Sequence, residues 1–480
     1  MGNNASELVD RLGAIFGPER TVSTPEQLLT YECDGHALER RPPQVVVYPE
    51  STEEVRRGIR VCAELAVPFL ARGAGTGLSG GAVAARGGVV FEMARMNRIL
   101  EIDYANRLAV VQPGLVNLHL SLATQKRGFH YAPDPSSQGA CTLGGNVAEN
   151  SGGPHTLKYG VTTNHVLGLE LVLPNGEVVR TGSRMGDVPG LDLTGVIVVS
   201  EGTFGIVTEI TVRLTRNAEA VRTFLAVYDD LDRASETVSG VIAAGIVPAA
   251  LELIDAVAIQ AVEAHLKVGF PTDAAAVLLI EIEGLADEVE ATATSIETIA
   301  RAHECRSIEV AGDEATRRRL WKGRKMALGA VGKIAAAYYT HDGVVPRSKL
   351  PEAVRRIQEI AKRHGVRVAN ICHAGDGNLH PLLLFDPSDR DEITRMHDAG
   401  KEILRMCVDL GGALTGEHGV GAEKRSCMPW LFSENDLDQF ARVRSVFDPH
   451  ELSNPEKVFP TGSRCADVHI ARKIRTGGWL

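Results

Sequence analysis

The stretch RGAGTGLSGG, Arg72 to Gly81, decides how this chain folds. It holds G-x-G-x-x-G at Gly75 to Gly80, the pattern of a dinucleotide-binding Rossmann turn. A Rossmann turn opens a helix whose N-terminus faces a pyrophosphate. Here the glycines run instead into the strand-like GGVVFEM, residues 87–93. The nearby helical signal, STEEVRRGIRVCAELA, precedes the strand-like VPFLA, with Ser51 and Glu54 placed for a capping box. The Rossmann reading therefore fails on context. What survives is a run of backbone N–H groups without Cβ atoms, able to form a nest around phosphate oxygens with Arg72 beside it; an ordinary glycine-rich surface loop is the plain alternative.

Two further loops of the same texture lie downstream. PDPSSQGACTLGGNVAENSGG, residues 133–153, pairs small residues with the amides Asn146 and Asn150, and SEGTFGIVTEI, residues 200–210, ends in a strand. Between them run short β-branched segments, including VLPNGEVV with Asn-Gly at a predicted two-residue hairpin turn. Three such loops in one α+β unit suit a large cofactor bound in an extended groove.

At 480 residues and 44% hydrophobic content, the chain exceeds what one core usually supports, so two or more domains are expected. A net charge of -10 argues against a nucleic-acid or anionic-lipid footprint. No signal-peptide core or long apolar span is evident, which predicts a soluble, cytoplasmic protein. The eight cysteines are scattered with no C-x-x-C, which excludes a dense disulfide framework and a resident iron–sulfur cluster.

Beyond about residue 218, longer amphipathic helices alternate with strands. The strand–helix–strand unit occurs twice, which predicts a ferredoxin-like sheet covered by helices. Further on, CHAGDGNLHP, Cys372 to Pro381, carries Asp-Gly between two strand-like arms. A two-residue turn there sets His373 directly opposite His380 on one face, close enough for both imidazoles to share a divalent metal. Paired histidines without a metal remain the alternative from spacing alone.

RGAGTGLSGGA, the 133–160 stretch and SEGTFGIVTEITVRL resemble the FAD-binding domain of the vanillyl-alcohol oxidase type. WKGRKMA, YYTHDGVVPRSKLP, RVANICHAGDGNLHPLLLFD, GGALTGEHGVGAEK and FDPHELSNPEKVFP resemble the C-terminal half of FAD-linked oxidases of the kind found in glycolate oxidase, with D-lactate and D-2-hydroxyglutarate dehydrogenases as relatives. The resemblance implies an N-terminal lead over 1–40, an FAD-binding domain over 41–217, a ferredoxin-like α+β substrate domain with a C-terminal helical segment over 218–460, and a tail over 461–480. It carries FAD contacts onto Arg72, Gly73, Gly75, Thr76, Gly77, Ser79, Pro133, Ser137, Gly144, Gly145, Asn146, Gly202, Gly205, Ile206 and Asn454. Some members attach flavin through a histidine, and His155 lies in the corresponding region.

The same resemblance makes His373, His380 and Glu417 ligands of a divalent metal, commonly zinc. Two histidines and a carboxylate with an open position form a catalytic metal set. His418 becomes the base and Arg324 the carboxylate-binding cation, whose planar fork suits bidentate pairing; Arg347 and Lys349 are secondary candidates. Thr340 and Leu382 stand where hydroxyglutarate-type relatives carry polar residues, which favours a substrate without a distal carboxylate. The implied reaction is oxidation of a 2-hydroxy acid, glycolate first and D-lactate or D-2-hydroxyglutarate second, with hydride passing to flavin N5. Implied partners are a second FAD-domain subunit and an iron–sulfur subunit feeding quinone, which could hold the protein at the inner membrane. A non-catalytic flavin-binding subunit is the rival from another class.

Overall fold

The computed structural model describes residues 3–186 and 190–460; the tail expected from residue 461 lies outside the described residues. Helix Thr52–Leu65 begins where Ser51 Oγ accepts the Glu54 N–H and stops at left-handed Ala66. The expected reciprocal half of the capping box is redirected: Glu54 accepts from the Glu50 N–H and binds Arg20 instead. Its apolar residues Val55, Ile59 and Cys62 recur every three or four positions, so they share one stripe. That stripe packs into a core with Phe69, Val89 and Phe91, joined by Leu8, Leu12 and Phe16 of helix Asn3–Phe16. The N-terminal lead is thus part of the first unit's core.

Strands Val45–Val47, Val89–Glu92 and Phe69–Arg72 lie parallel in that order, with Thr21–Val22 antiparallel at one edge. The 72–81 loop leaves one parallel strand and returns to its neighbour with no helix following it, as the sequence context predicts. A second, antiparallel sheet of five strands runs Ile99–Asp103, Leu108–Val111, Ile206–Arg213, Val166–Val172, Val178–Gly182. Its last hairpin differs from expectation. The Leu173 N–H donates to the Glu177 carbonyl, leaving Pro174, Asn175 and left-handed Gly176 as a three-residue loop, because a type I turn followed by a left-handed glycine also matches strand twist.

The second half builds one sheet from β1 (Ala220–Tyr228), β2 (Ala250–Asp255), β3 (Ala276–Gly284), β4 (Ser307–Val310), β5 (Ala337–Thr340), β6 (Arg367–His373) and β7 (Asn378–Phe385). The spatial order is β4-β1-β3-β2-β6-β7-β5, antiparallel throughout, and the short strand Gly343–Val344 also pairs with β7. The first four strands have the ferredoxin-like order predicted from the duplicated unit. Helices cover both faces: Leu231–Ala243, Leu350–His364 and Arg390–Asp409 on one core, Ala256–Leu266 and Ala327–Val331 on the other.

The β6–β7 hairpin corrects the predicted register. His373 pairs with Asn378, and His380 with Ile371, around a four-residue connection whose Gly377 is left-handed. A slip of one residue would have flipped every side chain to the other face; a slip of two preserves the face. The histidines therefore remain on one side as diagonal neighbours, with ring centroids 5.1 Å apart. The chain then returns to the first unit: the Phe69 N–H donates to the Leu452 carbonyl and the Asn454 N–H to that of Phe69.

Candidate active site

The three glycine-rich loops wall a cavity of about 420 Å³ that runs on to Arg324, Leu328, His373, His380, Glu417 and His418. Of the predicted cofactor positions, Arg72, Gly73, Gly75, Thr76, Gly77, Ser137, Gly144, Gly145, Asn146, Gly202, Gly205 and Asn454 line it. Gly75 has φ +67°, and a Cβ there would stand 2.2 Å from an Arg72 guanidinium nitrogen, so another residue would be strained and would displace the Arg72 side chain. Asn146 is oriented by the Asn117 amide, which donates to it at 2.9 Å.

Three predicted contacts lie outside the wall. Ser79 turns its carbonyl to the Ala422 and Glu423 N–H groups, pinning the first loop to the 417–424 segment. Pro133 accepts from the Asn117 amide, leaving Pro135 and Ser136 on the wall. Ile206 is buried in the first core, so alternation brings Gly205 and Val207 to the cavity.

The groove suits a large ligand with many donors and acceptors. Asn454 Oδ1 and a Glu149 carboxylate oxygen are buried without partners along it, and buried polar atoms in native proteins are nearly always bonded. Asn454 also donates to the carbonyls of Gly81 and Glu201, and Glu201 receives the N–H groups of Val420 and Gly421. These bonds join two cofactor loops to the segment bearing Glu417 and His418.

At the far end, Glu417 Oε1 lies 3.0 Å from His373 Nε2 and 3.1 Å from His380 Nε2. The other ring nitrogens are engaged: His373 Nδ1 meets Glu252 Oε1 at 2.9 Å and His380 Nδ1 the His341 carbonyl at 3.3 Å. Donating N–H from both Nδ1 atoms leaves lone pairs on both Nε2 atoms, aimed at an anionic oxygen. Three converging acceptors need a cation among them. A proton can serve: burial would lower His373, but Glu252 and Glu417 carry it to about 10. A divalent ion fits the same donor set, with two imidazoles, one carboxylate and the cavity as the open side.

His418 stacks on His380 at 4.8 Å and reaches the same cavity. Burial pushes it down to about 4, so it is neutral at pH 7 and able to accept a proton. Its backbone is held by Asp342, whose carboxylate also receives the N–H groups of Gly416 and Glu417. Asp342, His380 and His418 form a second close set of ligand-type atoms, but the Asp342 oxygens are already occupied by these donors.

Arg324 is buried in the cavity wall, and its fork is already half engaged. Nη2 lies 2.5 Å from Glu252, while Nε has no hydrogen-bond partner. The bidentate expectation is corrected to this extent, because Glu252 already holds one arm. The secondary candidates are spent elsewhere: Arg347 donates to the Gly375 carbonyl and Lys349 pairs with Glu352. Thr340 and Leu382 pair with each other across β5 and β7, and neither lines the cavity. Glu252 and Asp342 escaped the sequence reading, although a lone glutamate inside the apolar run AALELI was a signal that β2 needs a buried cation.

His155 does not line the cavity. Its Nδ1 binds Asp134 at 2.9 Å, its Nε2 faces Glu281 at 3.4 Å, and its ring stacks on Trp321, so both nitrogens are occupied. Lys325 completes this junction through Asp134, tying the 133–153 loop to the helix that carries Arg324. Burial would raise Asp134, but His155 and Lys325 bring it to about 2; burial would lower His155, but the two carboxylates carry it to about 10. The depressed Asp134 stabilises the fold above its ordinary 3.8, and this is lost as pH falls toward 2. The raised His155 contributes fully below its ordinary 6.5, and this is lost as pH rises toward 10. Thermal unfolding of His155→Gln should lose the alkaline decline between those limits that wild type shows.

Residues 43–182 match the FAD binding domain family, and residues 217–458 match the family of FAD linked oxidases, C-terminal domain. The glycolate oxidase subunit GlcD of Escherichia coli (strain K12) is 44% identical over 93% of this chain and 89% of its own. A probable mitochondrial D-lactate dehydrogenase of Danio rerio is 31% identical over 87% of this chain and 84% of its own. The crystal structure of p-cresol methylhydroxylase superposes with a TM-score of 0.78 at 17% identity, covering 96% of this chain and 98% of that one, which establishes the shared fold. With both halves matched in order and a relative 44% identical over 93% of this chain, the chain belongs to the FAD-linked oxidases.

Proposed function

We propose that this protein oxidises a small 2-hydroxy acid, glycolate in the first place, to the 2-oxo acid. The observation that carries the reading is the convergence of His373, His380 and Glu417 on one point, with neutral His418 and buried Arg324 opening onto the cavity the glycine-rich loops enclose. FAD along that groove would supply the electron sink, and a divalent ion, zinc favoured, held by His373, His380 and Glu417 would lower the pKa of the substrate hydroxyl.

Arg324 takes the substrate carboxylate through the donor left open by Glu252. Glu252 at the same time holds His373 in the tautomer that presents Nε2. His418, kept uncharged by burial, accepts the hydroxyl proton. The E. coli relative is named a subunit of glycolate oxidase. By analogy, the two electrons leave for a second FAD-domain subunit and an iron–sulfur subunit feeding quinone. Among the described residues no helix is long and apolar enough to cross a membrane, so attachment at the inner membrane would run through those partners. D-lactate fits the same reading, as the name of the Danio rerio relative suggests.

Anaerobic titration of the FAD-loaded protein is the test. Glycolate, and more weakly D-lactate, should bleach the visible flavin band. Prior chelation should prevent bleaching while the band itself persists, and added zinc should restore it. Protein that stays colourless after incubation with FAD, or a flavin that no 2-hydroxy acid bleaches, overturns the reading.

A further inference from the structure

We infer that Leu328 is the specificity-determining residue of this site, limiting the group on the substrate's C2 to hydrogen or one methyl; this rests on the reading above and deepens it. Arg324 and Leu328 stand four positions apart on consecutive helices, Glu314–Lys325 and Ala327–Val331, and both line the cavity. Both residues wall the same cavity, so a carboxylate held by Arg324 places C2 and its substituent in the space that Leu328 bounds. Among the cavity-lining residues from 218 to 418, Arg324, His373, His380, Glu417 and His418 are polar and Leu328 is apolar.

The back of Leu328 is packed against the core that contains Leu382, so it has little room to swing aside. The nearby cations are committed. Arg324 pairs with Glu252, Lys325 with Asp134, and Lys424 donates to the Gly419 carbonyl. A second carboxylate on the substrate would meet an apolar wall and stay unpaired, which is costly in a buried site. A longer apolar chain would instead collide with the leucine. Short, uncharged substituents satisfy both limits.

The test compares kcat/KM for glycolate, D-lactate, racemic 2-hydroxyvalerate and D-2-hydroxyglutarate in wild type, Leu328→Val and Leu328→Ala, each loaded with FAD and metal. One methylene in an apolar pocket shifts such ratios by about 10-fold or more. The 2-hydroxyvalerate-to-glycolate ratio should therefore rise about 10-fold in the valine variant and further in the alanine variant, with D-2-hydroxyglutarate poor in all three. Leu328→Met, of similar volume, should keep the wild-type ratio. The valine variant decides the matter if the alanine variant does not fold. Wild type that uses 2-hydroxyvalerate or D-2-hydroxyglutarate as well as glycolate overturns the inference, as do smaller side chains that leave the ratio unmoved. In both cases a flavin still bleached by glycolate leaves the oxidation reading standing, whereas a flavin that no acid bleaches removes both.

Discussion

Replacing His380 by alanine should slow flavin reduction by glycolate about 10³-fold or more while FAD stays bound. The loss follows from the geometry at Glu417 Oε1, where His380 Nε2 at 3.1 Å is one of two imidazoles facing the same oxygen. Without it the remaining pair cannot hold a divalent ion tightly, and the several kcal/mol that such an ion contributes to stabilising developing alkoxide charge is lost. Flavin should remain because β7 bears on the substrate end of the cavity, while the groove is walled by loops of the first unit. His373→Ala should match it, and the double variant should be no worse than either single one, since ligands of one ion act as a unit. Rapid-mixing flavin reduction together with the FAD-to-protein ratio decides the matter. A variant that sheds FAD but turns over normally once reloaded would place His380 in the cofactor site instead.

Asp342→Ala should destabilise the fold by about 3–5 kcal/mol, the usual cost of removing one partner of a buried ion pair. Asp342 accepts from the N–H groups of Gly416, Glu417 and His418 at 3.0, 3.1 and 2.8 Å, from Thr415 Oγ1 at 2.5 Å, and from the Asn378 amide at 2.8 Å, with Lys424 Nζ at 3.6 Å. Removing the carboxylate orphans these donors and leaves the lysine charge buried without its partner. Burial alone would raise the carboxyl, but His418, Lys424 and His380 hold it well below the usual carboxylate range. Its contribution is therefore present above its ordinary 3.8 and is lost as pH falls. Denaturant unfolding at pH 7 and at pH 3 should show the gap between wild type and variant narrowing in acid. An unchanged midpoint at pH 7 would mean that the 415–418 turn stands without Asp342.

Much of this was legible in the sequence because it depends on neighbours along the chain. Ser51 caps its helix, the glycine loop runs into a strand instead of a helix, and two histidines separated by an even register shift must share a face however long the turn. Turn length is not legible at either glycine hairpin, where the connections are four and three residues long. Asp-Gly and Asn-Gly permit several turn types, and the flanking strands select among them by twist.

The residues that complete the site could not be read this way. Glu252 reaches Arg324 and His373 only because β2 lies beside β6, and Asp342 reaches His418 across 76 positions. Arg324 looked like a free clamp in sequence and is half engaged in space, while Thr340 and Leu382 looked like specificity positions and pair with each other away from the cavity. Sequence by itself determined the family, the two-unit architecture and the chemical types at the proposed metal and flavin sites. Tertiary structure alone decided which buried charges meet, because a buried charge takes its partner from whichever strand or loop packs against it, and that choice is made by the sheet order and not by the local chain.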